Sequence, residues 1–164
     1  MLVVSNTSTI MNLALVGVLD LLRQQFGEVV IPTAVVDELK LDTDYPGTGE
    51  IRAAMTAGWL KQVNLEDDRV ARALRRELDD GEAEAIALAL QLKIESILMD
   101  ERDGRSVAKS MGLVPIGVIG VLVRAKQNGS INSVKDTLNK LKDDAGFYIA
   151  DSLFQNILSE IGES

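Results

Sequence analysis

The sequence predicts an α/β fold in which helices cover both faces of a parallel β-sheet. Three observations predict it. Short apolar runs alternate with helical patterns along the chain, the order that builds parallel βα units. Hydrophobic residues make up 46% of the 164 positions, enough for a sizeable core at a length typical of one domain. Two of the apolar runs also end in polar clusters, as strands do when they carry a site at their carboxyl ends.

The elements follow in order. Leu2-Val3-Val4 is the first strand, and Thr9 to Phe26 is helical with a break near Gly17. Val29-Val30-Ile31 is the second strand, closed by Pro32, whose fixed φ suits the start of a helix over Thr33 to Lys40. Residues 41–49, LDTDYPGTG, form a loop by their turn chemistry. Glu50 to Ala57 is helical, Leu60 to Val63 a strand, and Asp67 to Leu78 a polar helix. Gly81 to Leu92 is a helix with almost no polar residue after its first turn, so it is buried on nearly all sides. Ile97-Leu98-Met99 is a strand that runs into Asp100. Arg102 to Met111 is a helix, Val114-Pro115-Ile116 a short strand, and Val118 to Gln127 a helix. Val134 to Asp143 and Ile149 to Ile161 close the chain as amphipathic helices. The apolar stripe Phe147-Tyr148-Ile149, Leu153, Phe154, Ile157 and Leu158 reads first as docking onto the sheet and second as an interface. With no repeat or linker, residues 1–164 are expected to form a single domain.

Composition limits the chemistry. The chain has no His and no Cys, which excludes disulfides, zinc–thiolate sites, Cys nucleophiles and Ser-His-Asp triads. Acid–base and metal chemistry must then rest on carboxylates, which suit Mg²⁺ or Mn²⁺. The net charge of −8 and a pI near 4.6 argue against nucleic-acid binding through a broad basic face. They leave room for an enzyme that meets phosphate through a bound cation. The first residues, MLVVSNTS, lack a signal peptide's pattern, and the cytoplasm is the expected location, without a membrane partner.

The carboxylates gather near element ends. Leu2-Val3-Val4 leads into Ser5-Asn6-Thr7-Ser8, and Ile97-Leu98-Met99 into Asp100-Glu101-Arg102-Asp103. Each of these polar residues has a plain reading as a helix cap: Asn6, Thr7 or Ser8 for one helix, Asp100 or Asp103 for the next. Glu82 and Glu84 stand in the first turns of the most apolar helix, about 200° apart around it, so they cannot both face one site. Glu38 borders the apolar face of its short helix. As a set, Glu38, Glu82, Asp100, possible partner Asp103 and Asn6 would repel unless a divalent cation joined them. Such a cation activates water and draws in phosphate oxygens.

The segments VVSNTSTIMNLALVGVLDLL, VVIPTAVVDEL, DDGEAEAIALAL, ILMDERDGRSVAKSMGL and GVIGVLVRAKQNGSI resemble the PIN-like proteins related to VapC-type toxins, in the branch with a DER-gR-vA segment. The resemblance spans roughly residues 2–160 and implies a three-layer α/β/α sandwich with a central parallel sheet. It also implies a Mg²⁺- or Mn²⁺-dependent endoribonuclease acting on RNA, a small antitoxin protein as partner, and a homodimer. Carried over by position, the acidic residues fall on Asn6, Glu38, Glu82 and Asp100, with Glu101 and Asp103 as near alternatives to the last. Glu38, Glu82 and Asp100 would be catalytic, and with Asn6 and Asp103 would hold metal. Thr7, Ser8, Arg102 and Arg105 would contact substrate, and Lys109, Arg124 and Lys126 are weaker candidates.

Asn6 departs from the pattern, because an amide brings an oxygen but no charge. The competing expectation is therefore a catalytically weakened or inactive PIN-like binding protein. A phosphotransferase using Asp100 is a third reading, and no GxxxxGK[ST] or GxGxxG turn supports it.

Overall fold

The computed structural model describes residues 2–164. Five strands form one sheet: β1 (Leu2–Ser5), β2 (Glu28–Ile31), β3 (Leu60–Gln62), β4 (Ser96–Leu98) and β5 (Val114–Ile116). Their order is β3-β2-β1-β4-β5, and every neighbouring pair is parallel. The described residues also form ten helices: α1 (Thr7–Leu15), α2 (Asp20–Phe26), α3 (Thr33–Leu39), α4 (Thr48–Ala57), α5 (Arg69–Leu74), α6 (Asp80–Leu92), α7 (Arg102–Ser110), α8 (Val118–Gln127), α9 (Val134–Asp144) and α10 (Asp151–Glu160). None of them is long and apolar enough to cross a membrane.

Alternation along the strands creates the three layers. Val3, Val29, Ile31, Leu60 and Leu98 enter one core with residues of α1, α2, α4, α8, α9 and α10. Val4, Val30, Ile97 and Met99 enter the other, against Ile86 and Leu88 of α6 and Ala108 of α7. Helix α3 buries Val35 and Leu39 in the first core and packs beside α6. Burial on both faces explains why the three central strands β1, β2 and β4 are rich in Val, Ile and Leu, while the edge strand β3 carries exposed Lys61 and Gln62. Helix α6 must lie against the sheet while α3, α5 and α7 crowd it, so half of its buried positions are alanine: Ala83, Ala85, Ala87 and Ala89.

The chain builds outward from β1 to β2 and β3, then returns to the other side of β1 for β4 and β5. The strand order therefore reverses between β1 and β4, and parallel sheets leave a crevice at that point beyond the strand ends. The ladder pairs Val4 with Ile97 and Ser5 with Leu98, and the Asn6 N–H extends it to the Leu98 carbonyl at 3.1 Å.

Boundaries differ from the sequence reading in understandable places. Helix α1 begins at Thr7, because Asn6 itself caps it: its side chain accepts from the Thr9 N–H at 3.3 Å. The break expected near Gly17 is where α1 and α2 separate, and Gly17 takes φ +78 there. Helix α5 stops at Leu74, four residues early, because Leu78 must turn inward before Asp79 can cap α6. The C-terminal stripe divides too. Ile149, Phe154, Ile157 and Leu158 are buried in the first core, where Lys142 Nζ lies 4.7 Å from the Phe154 ring centroid.

The last turns of the chain are tied back by one side chain. The Glu163 carboxylate accepts the N–H groups of Val134 (2.9 Å) and Lys135 (3.0 Å) and the Ser133 hydroxyl (3.1 Å), with Lys126 Nζ at 3.2 Å. Desolvation opposes its ionisation, but the two N–H donors, Lys126 and Ser133 outweigh it and hold the carboxyl down to about 2. A depressed carboxyl stabilises the fold above the ordinary glutamate value of about 4.3, and this is lost as pH falls toward 2. Glu163→Gln is expected to destabilise by about 1–2 kcal/mol near neutral pH, through a lost charge-assisted cap at α9. In thermal unfolding, the gap between the two proteins should narrow below pH 4; a gap independent of pH would exclude this role.

Candidate functional site

The crevice beyond β1 and β4 is a cleft of about 380 Å³. Asn6, Thr7 and Ser8 reach it from the turn into α1, Glu38 from α3, Asp79 and Glu82 from the start of α6, and Glu101 from the turn after β4, with Met11 and Asn12 completing the wall. Four carboxylates line it, and no Lys or Arg does.

Each acid is held by a specific contact. Glu101 accepts the Ser8 hydroxyl at 2.6 Å and the Asn6 amide Nδ2 at 2.8 Å. Glu38 accepts the Thr7 hydroxyl at 3.0 Å. Asp79 and Glu82 form a capping box: Asp79 takes the Glu82 N–H at 2.8 Å, and Glu82 Oε1 takes the Asp79 N–H at 3.3 Å. Glu82 Oε2 is buried and has no hydrogen-bond partner. The orientation of the Asn6 amide follows from its surroundings. The Thr9 N–H requires the oxygen and the Glu101 carboxylate requires the NH₂ group, so the amide meets the acid as a donor.

Electrostatics follow from this packing. Glu82 is pushed up to about 7, first by burial and then by the charges of Asp79 and Glu101. Glu38 is also raised, mainly by burial, while the Thr7 hydroxyl and the Gly81 N–H pull against the shift. Acids facing one another without a counter-charge, with one buried oxygen unpaired, suit a hard divalent cation, and the four carboxylates and the Thr7 and Ser8 hydroxyls offer it oxygen donors. Among the described residues, no three acids stand close enough to form a ready ligand cluster. A cation would have to draw the glutamate side chains inward.

Of the residues singled out from sequence, Asn6, Thr7, Ser8, Glu38 and Glu82 share this cleft. Asp100 does not line it. Its carboxylate takes the Thr9 hydroxyl and the Val118 N–H, both at 3.0 Å, so it caps α8 rather than the helix that follows it. Burial raises its pKa, against the pull of those two bonds. Asp103 lies outside the cleft on an exposed face of α7, 3.6 Å from Arg102, whose side chain is almost fully exposed. Arg105 donates to the Met99 carbonyl at 2.9 Å and lines a neighbouring cavity with Asp100.

One cleft carboxylate, Asp79, was missed in the sequence, and Glu84, singled out there, proves to join two helices instead. Asp79 was legible as the first residue of a D-x-x-E capping box, Asp79 to Glu82. Glu84 explains the second acid on α6: it accepts the Ala34 N–H at 3.0 Å and the Arg75 guanidinium at 2.8 Å. It thereby ties α6 to the first turn of α3, the helix that carries Glu38.

Gly81 stands at a close approach to the Glu38 carboxylate. A Cβ there would stand 2.8 Å from Glu38 Oε2 and 3.0 Å from Thr7 Oγ1. The flexible Glu38 side chain can swing away, so Gly81→Ala should fold normally while weakening Mn²⁺ binding about tenfold or more, as read by calorimetry. Unchanged affinity would separate Glu38 from the cation site. Glu82 offers a second test. Its raised pKa favours the neutral form on folding, so its contribution is fully present below the ordinary value of about 4.3 and is lost as pH rises through about 7. In EDTA, Glu82→Gln should unfold several degrees above the parent at pH 8 and close to it at pH 5.

A family model described as a PIN domain, DUF3368, matches residues 2–163. No curated protein matches the chain, and no solved structure does. Membership of a PIN family points to nuclease chemistry in general, in keeping with an acidic cleft at the switch point of a parallel sheet. From residue 2 to residue 163, the chain belongs to the DUF3368 family of PIN domains.

Proposed function

We propose that this protein is a Mg²⁺- or Mn²⁺-dependent endoribonuclease of the VapC-type branch, acting as the toxin of a toxin–antitoxin pair. The observation that carries the nuclease reading is the cleft itself: four carboxylates without a counter-charge, one of them with a buried, unpaired oxygen. The toxin reading, with its antitoxin and homodimer, rests on the resemblance of the motifs from VVSNTS to DERDGR.

Glu38, Glu82 and Glu101 would hold the cation, with Asp79 at the edge of the set. Glu101 takes the place that position alone would assign to Asp100, because Asp100 is engaged by Thr9 and Val118. Asn6 contributes as a donor: it keeps Glu101 turned toward the cleft, as does Ser8. Thr7 does the same for Glu38. A bound divalent cation would supply Lewis acidity at a phosphodiester and lower the pKa of water. The protein's own part is to hold the carboxylates Glu38, Glu82 and Glu101 where hydration is poor, so that a cation kept among them would lie at short range from the negative charge developing on the phosphate oxygens.

Incubation of a defined RNA with Mn²⁺ tests the reading. Glu82→Ala and Glu101→Ala together should reduce cleavage at least a hundredfold, whereas Asp103→Ala should leave it unchanged. Full cleavage by the double variant would overturn the assignment.

One observation favours a second reading, a cation-binding PIN domain without turnover: the cleft receives an amide NH₂ from Asn6 where the family pattern implies an acid. Asn6→Asp separates the two. A gain of cleavage from a silent parent supports the second; an active parent that changes little supports the first.

A further inference from the structure

A second cavity, about 550 Å³, opens on the other side of the β4–α7 turn. Asp100 and Glu101 are consecutive, yet Glu101 lines the acidic cleft and Asp100 this cavity. Its walls are apolar, with Ile116 and Leu153 among them, and its rim carries Phe147 and Tyr148. Tyr148 is 86% exposed and Leu153 46%. The polar groups are the Asp100 carboxylate and the Arg105 guanidinium. Both are held in place, Asp100 by Thr9 and Val118 and Arg105 by the Met99 carbonyl. A guanidinium has five N–H donors, and among the described residues Arg105 uses one. Each Asp100 oxygen has also taken a single hydrogen bond from the protein.

This combination selects its occupant. An aliphatic side chain or a lipid tail would cover the apolar walls but desolvate the remaining guanidinium N–H groups and carboxylate lone pairs without giving them partners. A planar heterocycle meets both demands: its face stacks on an aromatic ring, and its edge carries donors and acceptors side by side. We propose that the cavity takes one nucleobase of a single-stranded RNA whose backbone crosses the adjacent cleft, a reading that rests on the RNA substrate proposed above. Tyr148 supplies the stacking face, and Asp100 and Arg105 meet the base edge. An acidic protein thereby gains hold of RNA through a base as well as through a cation.

The test is the affinity of a labelled single-stranded RNA hexamer for the full chain in EDTA, read by fluorescence anisotropy. Tyr148→Ala should weaken binding about tenfold, in the range of one lost base–aromatic stack. Tyr148→Phe should bind like the parent, because stacking does not need the hydroxyl. An abasic hexamer should bind the parent as weakly as the RNA binds Tyr148→Ala. The high exposure of Tyr148 makes the substitution harmless to folding. Equal affinity of parent and Tyr148→Ala, or of RNA and abasic strand, would overturn the proposal. So would a Tyr148→Ala protein that binds RNA normally but loses self-association in sedimentation, since the cavity would then receive a second copy of the chain. Tyrosine-dependent binding without Mn²⁺-dependent cleavage would uphold the cavity and overturn the nuclease reading, and cleavage without tyrosine dependence would do the reverse.

Discussion

The pairing of β1 with β4 organises the molecule. Val4 stands against Ile97 and Ser5 against Leu98, so two chain segments more than ninety residues apart end together at the centre of the sheet. Because β2 and β3 lie on one side and β5 on the other, no further strand covers the ends of this pair. Whatever follows Ser5 and Leu98 must form the floor of a crevice. Polar residues follow both strands, and the hydrogen bonds from Asn6 and Ser8 to Glu101 close the floor. A slip of one residue in this register would exchange the two faces of β4, moving Ile97 and Leu98 between cores.

Helix α6 supplies the other half of the site, and its burial shapes the electrostatics. Alanines let it approach the sheet, and that approach brings its first turn into the cleft. Two acids enter with it and are treated differently. Glu84 meets the Arg75 guanidinium and an N–H of α3. Glu82 meets only the Asp79 N–H and is left with one bare oxygen. An acid that is paired serves to join helices, while one that is buried without a counter-charge has its pKa raised. The same division separates Asp100, engaged with Thr9 and Val118, from Glu101, whose donors turn it toward the cleft.

Much of this was legible in the residues. The alternation of strands and helices, the buried character of α6 and the break near Gly17 all come from local pattern, because burial on both faces forces apolar strands and periodicity marks a helix. Five of the polar residues chosen from sequence, Asn6, Thr7, Ser8, Glu38 and Glu82, line one cleft because strand ends and helix starts converge there. Direction was not legible. Asp100 and Glu101 are neighbours at a turn, where no periodicity tells which side chain faces which way. Asp79 was passed over for another reason: its D-x-x-E spacing to Glu82 marks only a helix start, and it is the fold that brings that start to the cleft.

By itself, then, the sequence determined the fold class and narrowed the chemistry the chain can offer. Without His or Cys, only oxygen donors remain for a metal, and the pattern of apolar runs allows a parallel sheet whose ends carry them. Tertiary structure alone decided which acids meet. Contacts such as Thr9 to Asp100, Asn6 to Glu101 and Gly81 to Glu38 depend on strand register and on how closely α6 approaches α3, quantities set by packing across the whole core rather than by any local run of residues.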